Sequence, residues 1–327
     1  MICIIIRKRK KVEKMYPLKL KPIYDETIWA NNKLTTMRHI DAHTFGTSWE
    51  VSAHPHAQSI VMNGNYQGKT LISLIEEKQK EMLGKIPFHR MLRLAFLDAK
   101  QDLSIQVHPN DAYAHTYEHD EGKVESWYIL AADQDATLVA GTTNPHKEVI
   151  KQAVDEGRVE EYVRHIPVSE GDFVCIDAGM LHALGKGILA LEIGQNSNTT
   201  YRFYDYNRKD KNGNLRELHI KKSFDVADFS YVCTPVHTGF HELTCNEEKM
   251  LVDRDEFSVK LVDICKSYQM QMDHERFYCL SNVKKDCILR YHGEDIAFQF
   301  TDNIFVPAAC DDFEIVGDTR ILVSYVR

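Results

Sequence analysis

The sequence has no apolar run approaching the roughly 18 residues that a membrane-spanning helix needs. Nor does it carry the pattern of a secretory leader. Cys3–Ile6 is apolar and basic residues follow it, whereas a leader places its basic residues first and has an apolar region of about 7–15 residues. Glycine and proline are scarce, at 16 and 9 of 327 residues, and 43% of the chain is hydrophobic, which excludes collagen-like, low-complexity and disordered chains. No Gly-x-Gly-x-x-Gly or P-loop pattern occurs, no internal repeat is visible, and strands and helices do not alternate in a βαβ rhythm. No two of the cysteines (Cys3, Cys175, Cys233, Cys245, Cys265, Cys279, Cys287 and Cys310) stand in Cys-x-x-Cys spacing. Without a leader they are expected to be free thiols acting as small buried hydrophobes.

Positive charge is also in short supply. The net charge is −8, and because residues 1–14 carry a balance of +5, the remainder carries −13. An acidic body excludes sequence-independent nucleic-acid binding, which depends on a basic surface that neutralises phosphates. An anionic substrate would therefore have to find its positive charge inside its own site. The basic cluster Arg7 to Lys14 matches a nuclear address in composition alone, with no other nucleic-acid feature to support it. Residues 1–16 are read as an unstructured extension, since Met15-Tyr16-Pro17-Leu18 has the look of a natural start.

What is present is mostly β. Short runs rich in Val, Ile, Tyr and Phe recur at 103–107, 124–130, 137–140, 173–176, 188–193, 200–206, 258–264, 286–291, 296–300 and 319–326, separated by Gly, Asp and Asn. Asn212-Gly213 is the sharpest turn signal, because both residues tolerate positive φ. Helical periodicity is confined to two places. One carries Leu71, Leu74, Ile75, Met82 and Leu83 on one face and ends at Gly84; the other opens on Asn144-Pro145 and ends at Gly157. The prediction is a mainly β chain of the sandwich or jelly-roll class with inserted helices, one domain over 17–232 and a smaller C-terminal β domain over 233–327.

Chemistry-bearing residues cluster on three of these segments. Side chains two apart on a strand share a face, so Gln106 and His108 point one way while Ile105 and Val107 point the other. Lys123 and Glu125 share a face by the same rule, and His182 follows the turn glycine Gly179 by three residues. Two imidazoles, a carboxylate and an amide oxygen make a borderline divalent-metal site suited to zinc, with positions left for water or substrate. Taken singly, each has an ordinary alternative: a surface or core histidine, a glutamate on a solvated strand face. The Gly-x7-Gly-x2-His spacing from Gly171 to His182 resembles the second motif of cupin jelly rolls, with Asp177 where those usually carry proline.

Five segments together resemble the type I mannose-6-phosphate isomerases of the short bacterial form. They are Gly46 to Ser52, Ser104 to Asp111, Gly122 to Leu130, Ala178 to Gly185 and Thr199 to Tyr206. The resemblance implies a cupin-type jelly roll and a cytoplasmic aldose–ketose isomerase that interconverts mannose 6-phosphate and fructose 6-phosphate. It implies one zinc ion per chain and a small-molecule sugar phosphate as partner; from composition no nucleic acid and no membrane are expected, and the oligomeric state is open, with a monomer favoured. By matched position, His108, Glu125 and His182 are the zinc ligands and Gln106 is the additional ligand of longer members. Arg202 is the active-site arginine, and Lys123 lines the same pocket.

The chemistry is consistent with these types. Zinc stabilises negative charge on the oxygens of an enediolate-like intermediate. Arg202 stays protonated and serves electrostatically, while Lys123 binds phosphate or relays protons. One departure stands out: Asn198 occupies a position where many members carry Asp, and an amide cannot act as a general base. The base is left open among a zinc-bound water, Lys123 and Glu50. Two rivals follow: a catalytically silent sugar-phosphate-binding relative, and another metal-dependent cupin enzyme, disfavoured as an iron oxygenase by Gln106 replacing a histidine. Arg208 and Lys209 are read as a solvated turn, His54 and His56 as bordering the pocket, and His115/His119 and His237/His241 as non-metal pairs.

Overall fold

Pro22 divides two short strands that join different sheets, and this crossover sets the plan of the molecule. In the computed structural model, which describes residues 14–40, 43–210, 212–237 and 244–327, Leu18–Lys21 pairs with Asn303–Val306 while Ile23–Asp25 pairs with Thr47–Val51. Proline has no N–H to offer a ladder, so it marks the point at which the chain leaves one sheet for the next. Leu18 and Leu20 are buried and alternate with Lys19 and Lys21 at the strand's outer face.

The fold is mainly β, as predicted. One antiparallel sheet orders Val236–His237, Asp172–Ile176, Glu125–Ala132, Ile188–Gln195, Leu92–Asp98, Thr47–Val51 and Ile23–Asp25. A second orders Val163–Pro167, Thr137–Thr142, His182–Ala183, Ile105–Val107 and Tyr201–Tyr204. Trp127 and Ile129, Val174 and Ile176, and Ala190 pack with Leu138 and Ala140 between these two sheets. The alternate residues Tyr128, Leu130, Phe173, Leu191 and Ile193 turn the other way, into the core shared with the C-terminal strands. The period-2 rule thus splits one strand between two cores. Ile105, Val107, Leu181, Ala183, Tyr201 and Phe203 face outward from the five-stranded sheet and are covered by the helices Lys147–Asp155 and Ile220–Val226.

The C-terminal strands form a sheet of Glu248–Asp253, Ser258–Ile264, Thr319–Tyr325, Tyr278–Asn282 and Asn303–Val306, extended by Leu18–Lys21 and Ile60–Val61. A four-stranded sheet accompanies it, ordered Ser267–Met270, Phe313–Val316, Cys287–Tyr291 and Glu294–Phe298. Hydrogen bonds cross the predicted 232/233 division in both directions, through Leu18–Lys21 on one side and Val236–His237 against Asp172–Ile176 on the other. Of the predicted 1–16 extension, residues 1–13 lie outside the described residues. Met15 is buried, and its carbonyl accepts from the Tyr291 hydroxyl.

Several local expectations are corrected. The helix predicted across 71–83 is two, Leu71–Glu77 capped by Thr70 and Gln79–Leu83, broken at Lys78 and ended by Gly84 at φ 67°. The second helix begins at Lys147 because Asn144 Oδ1 accepts from the His146 N–H, closing a turn before the helix starts. Lys33–Met37, Asp111–Tyr117 and Ile220–Val226 were not expected; at five to seven residues they are too short to show a period. Cys245 and Cys265 form a disulfide, against the expectation of free thiols. They flank the antiparallel pair Glu248–Asp253 and Ser258–Ile264, whose register brings their Cα atoms to 5.3 Å. Among the described cysteines the other five are free. No helix among the described residues is long and apolar enough to cross a membrane.

Candidate metal centre and active site

The five-stranded sheet aligns its site residues in one row. His182 is the Cα partner of Gln106, and Gln106 is the Cα partner of Arg202. Their strand neighbours face the outer core, so the period-2 rule turns these three side chains toward the seven-stranded sheet. From that sheet Glu125 shares the face of Trp127 and Ile129 and projects back at them. His108 stands just beyond Ile105–Val107, ahead of Pro109 and of Asn110, which caps Asp111–Tyr117. The turn before His182 is tied to the same segment, because the Gly179 N–H donates to the His108 carbonyl at 2.9 Å. Gly179 has φ 89°, a conformation that suits glycine.

His108, Glu125 and His182 converge, each with no solvent exposure. His108 Nδ1 lies 2.9 Å from the Thr199 carbonyl and His182 Nδ1 lies 2.8 Å from the Met180 carbonyl. A carbonyl only accepts, so both Nδ1 atoms carry the proton and both Nε2 atoms present lone pairs. These face each other at 3.1 Å with no hydrogen between them. Glu125 Oε1 lies 3.6 Å from His108 Nε2 and 3.5 Å from His182 Nε2 and accepts no hydrogen bond. Three buried lone-pair atoms meeting in this way repel one another, and a cation relieves the repulsion. The donor set, two nitrogens and one carboxylate oxygen, fits a borderline divalent ion. Gln106 reaches His182 Nε2 at 3.3 Å through its amide nitrogen, and turning the amide over would present its oxygen instead.

Protonation of the imidazoles is suppressed. Burial and the Lys123 charge push His108 down to about 3, and burial also lowers His182. Burial opposes ionisation of Glu125, but Lys123 and the two imidazoles hold its carboxyl well below the usual range. Lys123 Nζ lies 2.5 Å from Glu125 Oε2, 3.3 Å from His108 Nε2 and 3.4 Å from Glu192 Oε1. Arg93 donates to Glu192 Oε1 and to the Ser197 carbonyl and stacks over Trp49. Lys123 and Arg93 therefore balance Glu125 and Glu192, leaving this buried cluster neutral. Arg202 is half-buried: Nη1 donates to the Glu217 carbonyl at 2.8 Å, and Nε is buried without a hydrogen-bond partner.

Sequence reasoning overlooked Arg93, Glu192, Asp120 and the Thr199 carbonyl. A signal did exist for two of them: Glu192 is the single charge of Ile188–Gln195, and Arg93 stands among apolar residues of Leu92–Asp98, whose other charge is the terminal Asp98. Glu50 is eliminated as a base: it lies on the opposite face, bound to Arg38, Ser48 and Asn303 at the junction with the C-terminal sheet. Asn198 is exposed, and its backbone N–H donates to Asp120. His54, with His119, Asp120 and Asn198, lines a cavity of about 470 Å³ beside Thr199. Arg208 pairs with Asp205 and the Asp102 carbonyl, in keeping with a structural turn. His115 pairs with Glu121 at the surface; His237 bonds Asp172, while His241 lies outside the described residues.

The family comparison agrees with this geometry. The phosphomannose isomerase type I catalytic domain matches residues 18–144, and the mannose-6-phosphate isomerase cupin domain matches residues 247–326. The mannose-6-phosphate isomerase of Bacillus subtilis strain 168 is 37% identical over 95% of this chain and 99% of its own length. The chain belongs to the type I phosphomannose isomerase family. Another phosphomannose isomerase relative, from Streptococcus mutans, is 34% identical over 94% of this chain and 98% of its own. A crystal structure of the mannose 6-phosphate isomerase from Bacillus subtilis superposes with a TM-score of 0.88 at 36% identity, covering 95% of this chain and all of that one.

Proposed function

We propose that this chain is a cytoplasmic, zinc-dependent mannose-6-phosphate isomerase, interconverting mannose 6-phosphate and fructose 6-phosphate through an enediolate-like intermediate. The observation that carries the reading is the meeting of His108 Nε2, His182 Nε2 and Glu125 Oε1 in a buried cluster of a type I phosphomannose isomerase fold. His108, Glu125 and His182 would hold the ion, with Gln106 as a fourth donor. A bound divalent cation supplies Lewis-acid stabilisation of negative charge on the substrate oxygens.

The protein's own side chains do the rest. Because Lys123 and Arg93 are balanced by Glu125 and Glu192, the unbalanced positive charge facing an anionic sugar comes from Arg202, whose guanidinium stays protonated. Arg202 sits one strand from Gln106 and holds charge as it develops on the substrate. With Glu50 turned away, Lys123 is the remaining side-chain candidate for moving a proton between adjacent carbons; its Nζ lies between Glu125 and Glu192. Isomerase activity on mannose 6-phosphate should vanish on chelation and return with zinc in the same preparation. Folded, zinc-loaded protein that binds the sugar phosphate and forms no fructose 6-phosphate would overturn the assignment in favour of a silent relative.

A further inference from the structure

The segment 196–200 links Gln195, the last residue of Ile188–Gln195 in the seven-stranded sheet, to Tyr201–Tyr204 of the five-stranded sheet. It supplies the carbonyl that fixes the proton of His108 on Nδ1, so its position decides whether Nε2 presents a lone pair to the pocket. One carboxylate oxygen holds most of it. Asp120 Oδ2 accepts from the Ser197 hydroxyl at 3.1 Å, the Asn198 N–H at 3.2 Å and the Thr199 hydroxyl at 2.8 Å. Its other oxygen accepts from the Glu121 N–H at 2.9 Å and lies 3.7 Å from His54 Nε2. Asp120 is anchored by contacts outside the segment it grips, and Arg93 also donates to the Ser197 carbonyl.

We infer that Asp120 is a positioning residue for the metal site, acting through Thr199 to set the tautomer and ring orientation of His108. Nothing in the sequence flags it, because Asp120 lies 12 residues from His108 and 79 from Thr199 and touches no metal ligand itself. Three hydrogen bonds to one ionised oxygen are stronger than neutral ones, and they bind three consecutive residues whose carbonyl must sit within hydrogen-bond reach of one imidazole nitrogen. Losing the carboxylate frees the segment, lets Thr199 drift and lets His108 take the tautomer that turns an N–H toward the ion.

The inference rests on the zinc reading above. The test measures zinc affinity by competition with a chromophoric chelator, together with the Tm of the metal-free protein. Asp120→Ala should weaken zinc binding about 10- to 100-fold, the range typical of partners behind a ligand. Asp120→Asn keeps an acceptor oxygen and should restore most of that affinity. Thr199→Val should cost less than Asp120→Ala, and its effect should largely disappear in the Asp120→Ala background, because the two share one network. Zinc affinity of Asp120→Ala within twofold of the parent, or fully additive effects of the two substitutions, overturns the inference. If Asp120→Ala does not fold, Thr199→Val decides it: zinc affinity within twofold of the parent overturns the inference, and a larger loss supports it. A parent chain that itself binds no zinc would instead overturn the functional reading.

Discussion

The two halves of this molecule are sandwiches of antiparallel strands filled in opposite ways. In the C-terminal half Phe257, Leu280, Leu289, Phe298, Phe305, Ile315 and Leu322 fill the core without exposure, and the buried charge of Arg320 is paired with Asp263. In the N-terminal half the space between sheets is apolar at one end, around Trp127, Ile129 and Leu138, and polar at the other. There, His108, Lys123, Glu125, His182, Glu192 and Arg93 are all buried. Among the described residues both clusters able to hold a metal, the buried His108–Glu125–His182 and the largely exposed Asp111–His115–Glu121, belong to this half. Burying a charge without a partner is expensive, so such a lining persists only when each charge is paired or a cation completes the set. The same architecture stabilises in one half and does chemistry in the other.

Substitutions can sharpen that contrast. The largest effect belongs to His182→Ala, which should lower turnover by more than about 100-fold and release the metal, since a ligand outweighs the partners behind it. Steady-state kinetics and metal content per chain check it. Leu289→Ala in the C-terminal core should instead cost about 2–5 kcal/mol of stability while leaving kcat of the folded protein unchanged. Urea unfolding set beside activity well below the transition would test this, and a fall in kcat at full folding would break the division of labour.

Asp98 should give a smaller effect. Burial pushes its carboxyl up to about 6, although the Leu34 N–H donates to it. A raised folded-state value means the native chain binds more protons than the unfolded chain between about pH 4 and 6. This contribution is present at low pH and is lost as pH rises through about 6. Asp98→Asn should therefore raise stability at pH 7 by about 1–3 kcal/mol and flatten the pH dependence over that window. Unfolding free energies measured at pH 4, 5.5 and 7 would show a widening gap between variant and parent; a constant gap would refute it.

Much of this was readable along the chain. Strand alternation placed Gln106 apart from Ile105 and Val107, and the spacing from Gly171 to His182 set a histidine just past a turn. The strand 258–264 was read at its observed bounds, and Asn212-Gly213 does form a turn, with Gly213 at φ 83°. These features depend on neighbours two to four residues apart, which is the range over which a sequence states its own geometry. The short helices, the Cys245–Cys265 pair and the direction of Glu50 were not readable, because each depends on which segments become neighbours.

By itself, then, the sequence determined the mainly β class, the residue types of the site and the strand faces of Gln106 and Glu125. Only the tertiary structure decided that the Thr199 and Met180 carbonyls meet the two Nδ1 atoms, that Glu192 and Arg93 balance the pocket, and that Asp120 grips the segment carrying Thr199. The reason is physical. Backbone periodicity is set by local sterics, whereas a hydrogen bond between residues 79 or 91 positions apart exists only after sheet register has been chosen by packing across the whole core.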